Sequence, residues 1–347
     1  MMSNGIRILL LADTHLGFDL PFRPRVQRRR RGPDFFDNFQ RALQPAHDGD
    51  VDVVVHGGDL FFRTRVPEEL VEMAIHPLVE VADIGVPVYL VPGNHERSRI
   101  PLRLWGTHPN LHIFNRPRNF ATTFKGVTLA FCGFPFERRV RDKFIGLVDQ
   151  TGWREVEADH CILCIHQAVE GAQVGVQNYT FRGGQDVVRG RDIPVDLTAV
   201  LSGHIHRSQV LTRNMDGNPL GAAVIYPGST ERTSFAEREE TKQYAIIELG
   251  GAADIRAALR DIRFVTLPTR PMVNLILNLE AIDVDHLLGT LQKELSALDP
   301  DSVVRIQVVG ETNRQIERRL TAPTLRSLAP ESMNVTLAYR TKPPASC

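Results

Sequence analysis

From the N-terminus to about residue 265, short runs of Val, Ile and Leu alternate with stretches whose apolar residues recur at helical spacing. The runs predict strands at 7–11, 52–55, 86–91, 127–131, 161–165, 199–201, 223–226 and 244–249. Several are continuously apolar rather than alternating. That is the mark of strands buried on both faces, and it points to a layered α/β fold. Asp34, after Gly32-Pro33, is placed to cap a helix whose stripe is Phe35, Phe36, Phe39, Ala42 and Leu43. Pro67, Glu68 and Glu69 open a second helix that ends near Gly85, with Pro77 as an expected kink.

The texture changes at Leu267-Pro268-Thr269-Arg270-Pro271, which reads as a linker. Beyond it the pattern predicts strand 272–279, helix 284–298, strand 303–309, a short helix around Leu325 and strand 333–339. Leu287, Leu288, Leu291, Leu295 and Leu298 form that first helix's stripe. The expected organisation is a large domain over 1–266, a small α+β domain over 271–341 and a frayed tail, 342–347.

Composition narrows the class. At roughly 150 residues per domain, 347 residues suit one large domain and one small one. With 42% hydrophobic and 24% charged residues the chain is globular, not disordered. Lys+Arg and Asp+Glu both number 41, which excludes a uniformly basic coat but not a local patch. One such patch exists: Arg23, Arg25, Arg28, Arg29, Arg30 and Arg31 fall within nine residues. No apolar run approaches the ~18 residues of a membrane span. The apolar run 6–12 leads into Asp13 and His15 without a small-residue cleavage site, so no signal peptide is expected. Four cysteines make no disulfide framework, and a reducing cytoplasm is the expected location.

Five motifs carry the chemistry. Asp13-Thr14-His15, Gly58-Asp59, Gly93-Asn94-His95-Glu96, His166 and Gly203-His204-Ile205-His206 each follow an apolar strand. The carboxyl ends of strands in open α/β sheets are where sites form. Imidazole, carboxylate and amide oxygen without thiolate suit Mn, Fe, Zn or Mg-like ions. Seven candidate ligands exceed what one ion takes, so two ions sharing a bridging carboxylate are expected. Such a pair clamps the attacking and leaving oxygens of a displacement at phosphorus.

The motifs, in this order, resemble the calcineurin-like metallophosphoesterase superfamily. That resemblance implies a four-layer double β-sandwich flanked by helices. It assigns Asp13, His15, Asp59 and His206 to one metal, and Asp59, Asn94, His166 and His204 to the other, with Asp59 bridging. His95 matches the non-ligand histidine beside the scissile phosphate, a stabiliser of charge or a proton donor.

Within the superfamily the chain is most similar to SbcD-type DNA-repair nucleases. The opening Ala12-Asp13-Thr14-His15-Leu16-Gly17, the segment Tyr226-Pro227-Gly228-Ser229-Thr230-Glu231-Arg232 and the small C-terminal domain carry the likeness. It implies a metal-dependent DNA nuclease, exonuclease or endonuclease, with two divalent ions, Mn foremost. It also implies DNA as partner, a homodimer and a C-terminal domain that caps the site and binds DNA. That family continues into helices that dock on an SbcC-type ABC ATPase. This chain stops at Cys347, so such a partner is expected to be absent or to use another surface. Two other readings are a phosphodiesterase for a cyclic nucleotide or dinucleotide, and a DNA-end-binding scaffold. The extra domain speaks against the first and the complete ligand set against the second.

Several residues outside the ligand set have competing readings. Arg28, Arg29, Arg30 and Arg31 suit bidentate phosphate contacts, against a solvated loop; Arg97 and Arg99 suit either phosphate or a structural ion pair. Where SbcD-type nucleases often carry a histidine that positions the nucleotide, this chain has Phe62. Its ring would stack on a base or pack with Phe61. Cys161 and Cys164, three apart in a strand, point to opposite faces and read as core. His56 reads as a hydrogen-bonded core histidine, and Trp105 and Trp153 as packing residues.

Overall fold

The structure, a computed structural model, describes residues 5–20, 30–96, 108–250, 258–280, 286–310, 312 and 314–340. They fall into two compact units. The larger takes the described residues of 5–19, 32–233 and 240–268. The smaller takes Leu20, Arg30, Arg31 and the described residues of 234–239 and 269–340.

In the larger unit, β1 (Ile6–Leu11), β2 (Val53–His56), β3 (Val88–Leu90) and β4 (Leu111–Ile113) run parallel. β15 (Gln243–Leu249) and β16 (Leu259–Thr266) extend this sheet antiparallel, in the order β16-β15-β1-β2-β3-β4. A second six-stranded sheet is built from β5 (Arg118–Phe124), β6 (Val127–Gly133), β7 (His160–Ile165), β12 (Ala199–Ser202), β13 (Gln209–Arg213) and β14 (Pro219–Tyr226). Its order is β13-β14-β12-β7-β6-β5, with parallel pairing from β14 through β6. Two short pairs, β8 (Ala168–Val169) with β11 (Val187–Val188) and β9 (Gln173–Val174) with β10 (Tyr179–Thr180), lie between β7 and β12 in the chain.

One face of each sheet meets the other. Ile8, Leu10, Val53, Val55, Tyr89 and Val91 pack in one cluster with Phe131, Ile162, Cys164, Leu201 and Ile225. Strand residues of the opposite parity, such as Leu9 and Val54, are equally buried. Helices α1 (Gly32–His47) and α2 (Glu68–Asp83) pack on that outer side, against β1, and against β3 and β4. Helix α3 (Val140–Gln150) covers the second sheet through Val140, Phe144 and Val148. Helix, sheet, sheet, helix are the four layers expected, and double-sided burial explains the continuous apolar runs.

All eight predicted strands of this unit are present, with ends shifted by a few residues. Five elements beyond them lie at or near the sheet margins: β4, β5, β13, β16 and α3. β5 and β13 are half-exposed edge strands, rich in Thr, Asn, Arg and Gln, so little apolar pattern marks them. α2 runs on through Pro77. Cys164 faces the inter-sheet core and Cys161 packs on the other side of β7, as their spacing required.

The smaller unit has a parallel sheet, β17 (Met272–Asn278), β18 (Val303–Val309) and β19 (Asn334–Arg340), in that order. Helices Leu287–Ser296, Arg314–Arg319 and Ala322–Leu328 cover it through Leu287, Leu291, Leu295, Ile316 and Leu325. Thr321 caps the last helix by accepting from Thr324 N at 3.3 Å.

Candidate metal centre

Parallel pairing brings the carboxyl ends of β1, β2 and β3 to one edge of the first sheet, and those of β7 and β12 to one edge of the second. There the backbone turns sharply. Asp13, His15, Asp59 and His204 have φ of 51°, 45°, 52° and 80°, the left-handed region that costs a non-glycine residue about 1–3 kcal/mol. The loops are locked together by main-chain bonds: Asp13 N to Gly58 O at 2.8 Å, His15 N to Asp59 O at 3.0 Å and Leu16 N to Leu60 O at 2.8 Å. A Cβ at Gly93 would overlap Asp59 Oδ1, so only glycine lets these loops close.

All seven expected ligands converge. His15 Nε2 and His206 Nε2 lie 3.1 Å apart. Asp13 Oδ1 is 3.8 Å from His206 Nε2 and 3.9 Å from His166 Nε2. Asp59 Oδ2 is 3.4 Å from His166 Nε2 and 4.0 Å from His15 Nε2. Asn94 Oδ1 sits 3.2 Å from His166 Nε2 and 2.9 Å from His204 Nδ1. Three overlapping groups, Asp13–His15–His206, His15–Asp59–His95 and Asp13–Asp59–His166, hold their ligand atoms within 4.8 Å. Asp13 and Asp59 each belong to two of them.

This donor set fits divalent ions. Two nitrogens at about 2.1 Å from one ion, roughly 95° apart, are separated by about 3.1 Å, as His15 and His206 are. The Nδ1 of His166 faces Gly57 O at 2.7 Å, which turns Nε2 inward, the arrangement in which metal-binding histidines are held. Charge is concentrated here. Burial drives the Asp13 carboxyl up to about 6 against the pull of His166 and His206. Burial also opposes ionisation of Asp59, but His166, His15 and His95 outweigh it and hold Asp59 below the usual carboxylate range. Burial disfavours charge on His166, yet Asp59 and Asp13 lift it to about 9. Burial and the neighbouring His166 lower His204 to about 3. An ion binding at His166 therefore displaces a proton.

His95 stands at the rim. Its Nδ1 is 2.6 Å from Phe62 O, its Nε2 is 3.8 Å from Asp59 Oδ2, and its N–H donates to Asp59 Oδ1 at 2.9 Å. Phe62 is half-buried, with its ring edge-on to Phe18 at 5.0 Å, and Phe18 leans on Phe35 at 4.9 Å. Its packing partner is thus Phe18. Arg30 is half-buried and Arg31 is 7% exposed. Arg28, Arg29, Arg97, Arg99 and Trp105 lie outside the described residues. Trp153 is buried in the α3 cluster.

Three supports were not read from the motifs. Glu96 is buried, and its carboxylate accepts from the N–H groups of Asp59 at 3.0 Å, Phe61 at 2.8 Å and Gly93 at 2.7 Å. It ties the β2 loop to the β3 loop; its place beside His95 was the signal. His56 is buried, lies 3.1 Å from Thr14 Oγ1, and its Nδ1 accepts from Gly58 N at 3.2 Å. Burial lowers it to about 3, so it is a neutral strut. Lys242, fully buried, donates to His206 O at 3.1 Å. Nothing in the sequence marks it.

The model of the calcineurin-like phosphoesterase family matches residues 6–208. The DNA double-strand break repair protein Mre11 of Haloferax volcanii is 31% identical over 311 residues, covering 88% of this chain and 62% of that protein. The protein of the same name from Halobacterium salinarum is 30% identical over 325 residues, covering 90% of this chain and 74% of that one. The D component of the nuclease SbcCD of Bacillus subtilis is 25% identical over 274 residues, covering 70% of this chain and 66% of that one. The chain thus spans less than two thirds of the Haloferax protein's length.

Proposed function

The chain belongs to the calcineurin-like phosphoesterase family, and from that membership we propose that it is a metal-dependent DNA nuclease acting in DNA repair. The observation that carries this is the convergence of Asp13, His15, Asp59, Asn94, His166, His204 and His206 with His95 beside them. The repair proteins to which most of the chain is similar support DNA as the substrate.

Two divalent ions, when bound, make water a nucleophile near neutral pH and neutralise charge on the phosphoryl group. Asp13, His15, Asp59 and His206 hold one ion; Asp59, Asn94, His166 and His204 hold the other. Gly57 O and Glu96 keep these ligands oriented. His95 carries its Nδ1 proton toward Phe62 O, so Nε2 is the nitrogen that delivers a proton to the leaving oxygen. Mn suits this imidazole-rich set better than Mg, which prefers oxygen.

Arg28, Arg29, Arg30 and Arg31 are the proposed phosphate contacts, and the smaller unit the proposed cap and DNA-binding domain. A second copy of the chain is a proposed partner. The Bacillus relative is by name one component of an assembly, and an ATPase partner is proposed on that ground. Among the described residues no helix is long and apolar enough to cross a membrane. Cytoplasmic location is part of the proposal.

One assay tests the whole reading. Chelated protein should be inactive, and Mn should restore cleavage of bis-p-nitrophenyl phosphate, single-stranded DNA and duplex DNA better than Mg does. Activity in chelator equal to that in Mn would sink the two-ion reading. Cleavage of the small diester alone would favour the small-molecule phosphodiesterase.

A further inference from the structure

A lysine lies beneath the metal loop. The side chain of Lys242 is 0% exposed. Its ammonium donates to His206 O at 3.1 Å and pairs with Glu240 Oε2 at 3.2 Å. Glu240 in turn faces Arg207 Nε at 3.4 Å and accepts from Gly175 N at 3.3 Å. Ser229 N donates to the same His206 carbonyl at 3.1 Å, so both of its acceptor positions are filled.

The segment 226–232, so far without a role, closes this frame. Gly228 has φ +82°, and a Cβ there would crowd Ser208 Oγ and His206 O. Ser208 Oγ donates to Pro227 O at 2.6 Å. Ser229 also bridges Ala12, the residue before Asp13. Arg232 returns to Glu240 O with Nε at 3.0 Å and Nη2 at 2.9 Å. The segment therefore touches both metal-bearing loops, and Lys242 and Glu240 pin it from below.

A buried ion pair is a poor source of stability, since an apolar pair of like size often serves as well or better. Its better-attested use is to fix one register among several. His206 needs such fixing: its Nε2 is held 3.1 Å from His15 Nε2 and 3.8 Å from Asp13 Oδ1. We propose that Lys242, paired with Glu240, is a positioning residue of the metal centre, which sets the affinity of the His206-bearing site for its divalent ion. This rests on the metal-centre reading above. Lys242 touches no substrate; it acts through the His206 carbonyl.

The test uses the full chain, stripped by chelator and titrated with Mn in a calorimeter, alongside thermal unfolding in chelator. Lys242→Met should bind one of the two Mn ions at least tenfold more weakly, the usual scale when a group that orients a metal ligand is removed. Excess Mn should restore most small-diester turnover. The double variant Lys242→Met/Glu240→Gln leaves no unpaired charge and should unfold within a few degrees of wild type with the same loss of affinity. If the single variant does not fold, the double variant decides. Wild-type affinity for both ions in either folded variant overturns the proposal. A wild-type chain that binds no Mn overturns the metal reading and this inference with it, which separates the two failures.

Discussion

His95 Nδ1 lies 2.6 Å from the carbonyl oxygen of Phe62, a main-chain contact that turns the other ring nitrogen toward Asp59. The residue that replaces the expected histidine therefore still serves the site through its backbone, whatever its side chain does. Truncating His95 tests the outcome directly. His95→Ala should retain both metals by elemental analysis and lose about 10²–10⁴-fold in turnover, the scale of a positioned proton donor. Because His95 also falls in a ligand-like group with His15 and Asp59, stoichiometric metal loss would make it a ligand instead.

Phe62→His keeps the carbonyl that holds His95, so small-diester turnover should change little. An imidazole there can donate a hydrogen bond to phosphate or sugar, which a phenyl ring cannot. The rate on an end-labelled duplex should rise relative to a single-stranded circle. Equal ratios across duplex, circle and diester would show that the Phe62 side chain, packed on Phe18, does not place the DNA end.

Replacing Arg28, Arg29, Arg30 and Arg31 with Ser should weaken binding to all DNA sequences alike. The dependence of log affinity on log salt should flatten by about 0.7–0.9 for each phosphate no longer neutralised. Arg31 is only 7% exposed, so Arg31→Ser alone should move the slope least. An unchanged slope in the quadruple variant would return the segment to a solvated loop.

Glu96→Gln puts an amide where three backbone N–H groups converge. The NH₂ cannot accept, so at least one donor loses its partner, at about 1–3 kcal/mol. Urea unfolding in chelator should show that loss, and Mn should bind more weakly. Unchanged stability would mean that the two loops are held by their main-chain bonds alone.

His56 makes stability fall in acid. The folded chain keeps it neutral down to about 3, against an unfolded value of 6.5. Below pH 6.5 the unfolded chain takes a proton that the folded one refuses. The His56 contribution is therefore complete above about 6.5 and is lost progressively toward 3. His56→Gln should flatten the pH dependence of urea midpoints between 6.5 and 4, measured in chelator. A parallel pH dependence in variant and wild type would contradict this.

The layers and the ligands were legible in the chain alone. Strands buried on both faces must be apolar throughout, so 7–11, 52–55, 161–165 and 199–201 announce themselves, and the polar residues just past them mark the rim. Edge strands such as β5 face solvent, carry mixed residues and leave no such signal. What supports the rim emerged from the folded molecule. Glu96 bonds to groups 3, 35 and 37 residues away, Lys242 to a carbonyl 36 residues away, and Asp13 accepts from an N–H 191 residues distant. The left-handed turns at Asp13, His15, Asp59 and His204 persist because these contacts over-determine them. A hydrogen bond between distant residues depends on where the sheets carry its two ends, and local periodicity holds no record of that distance.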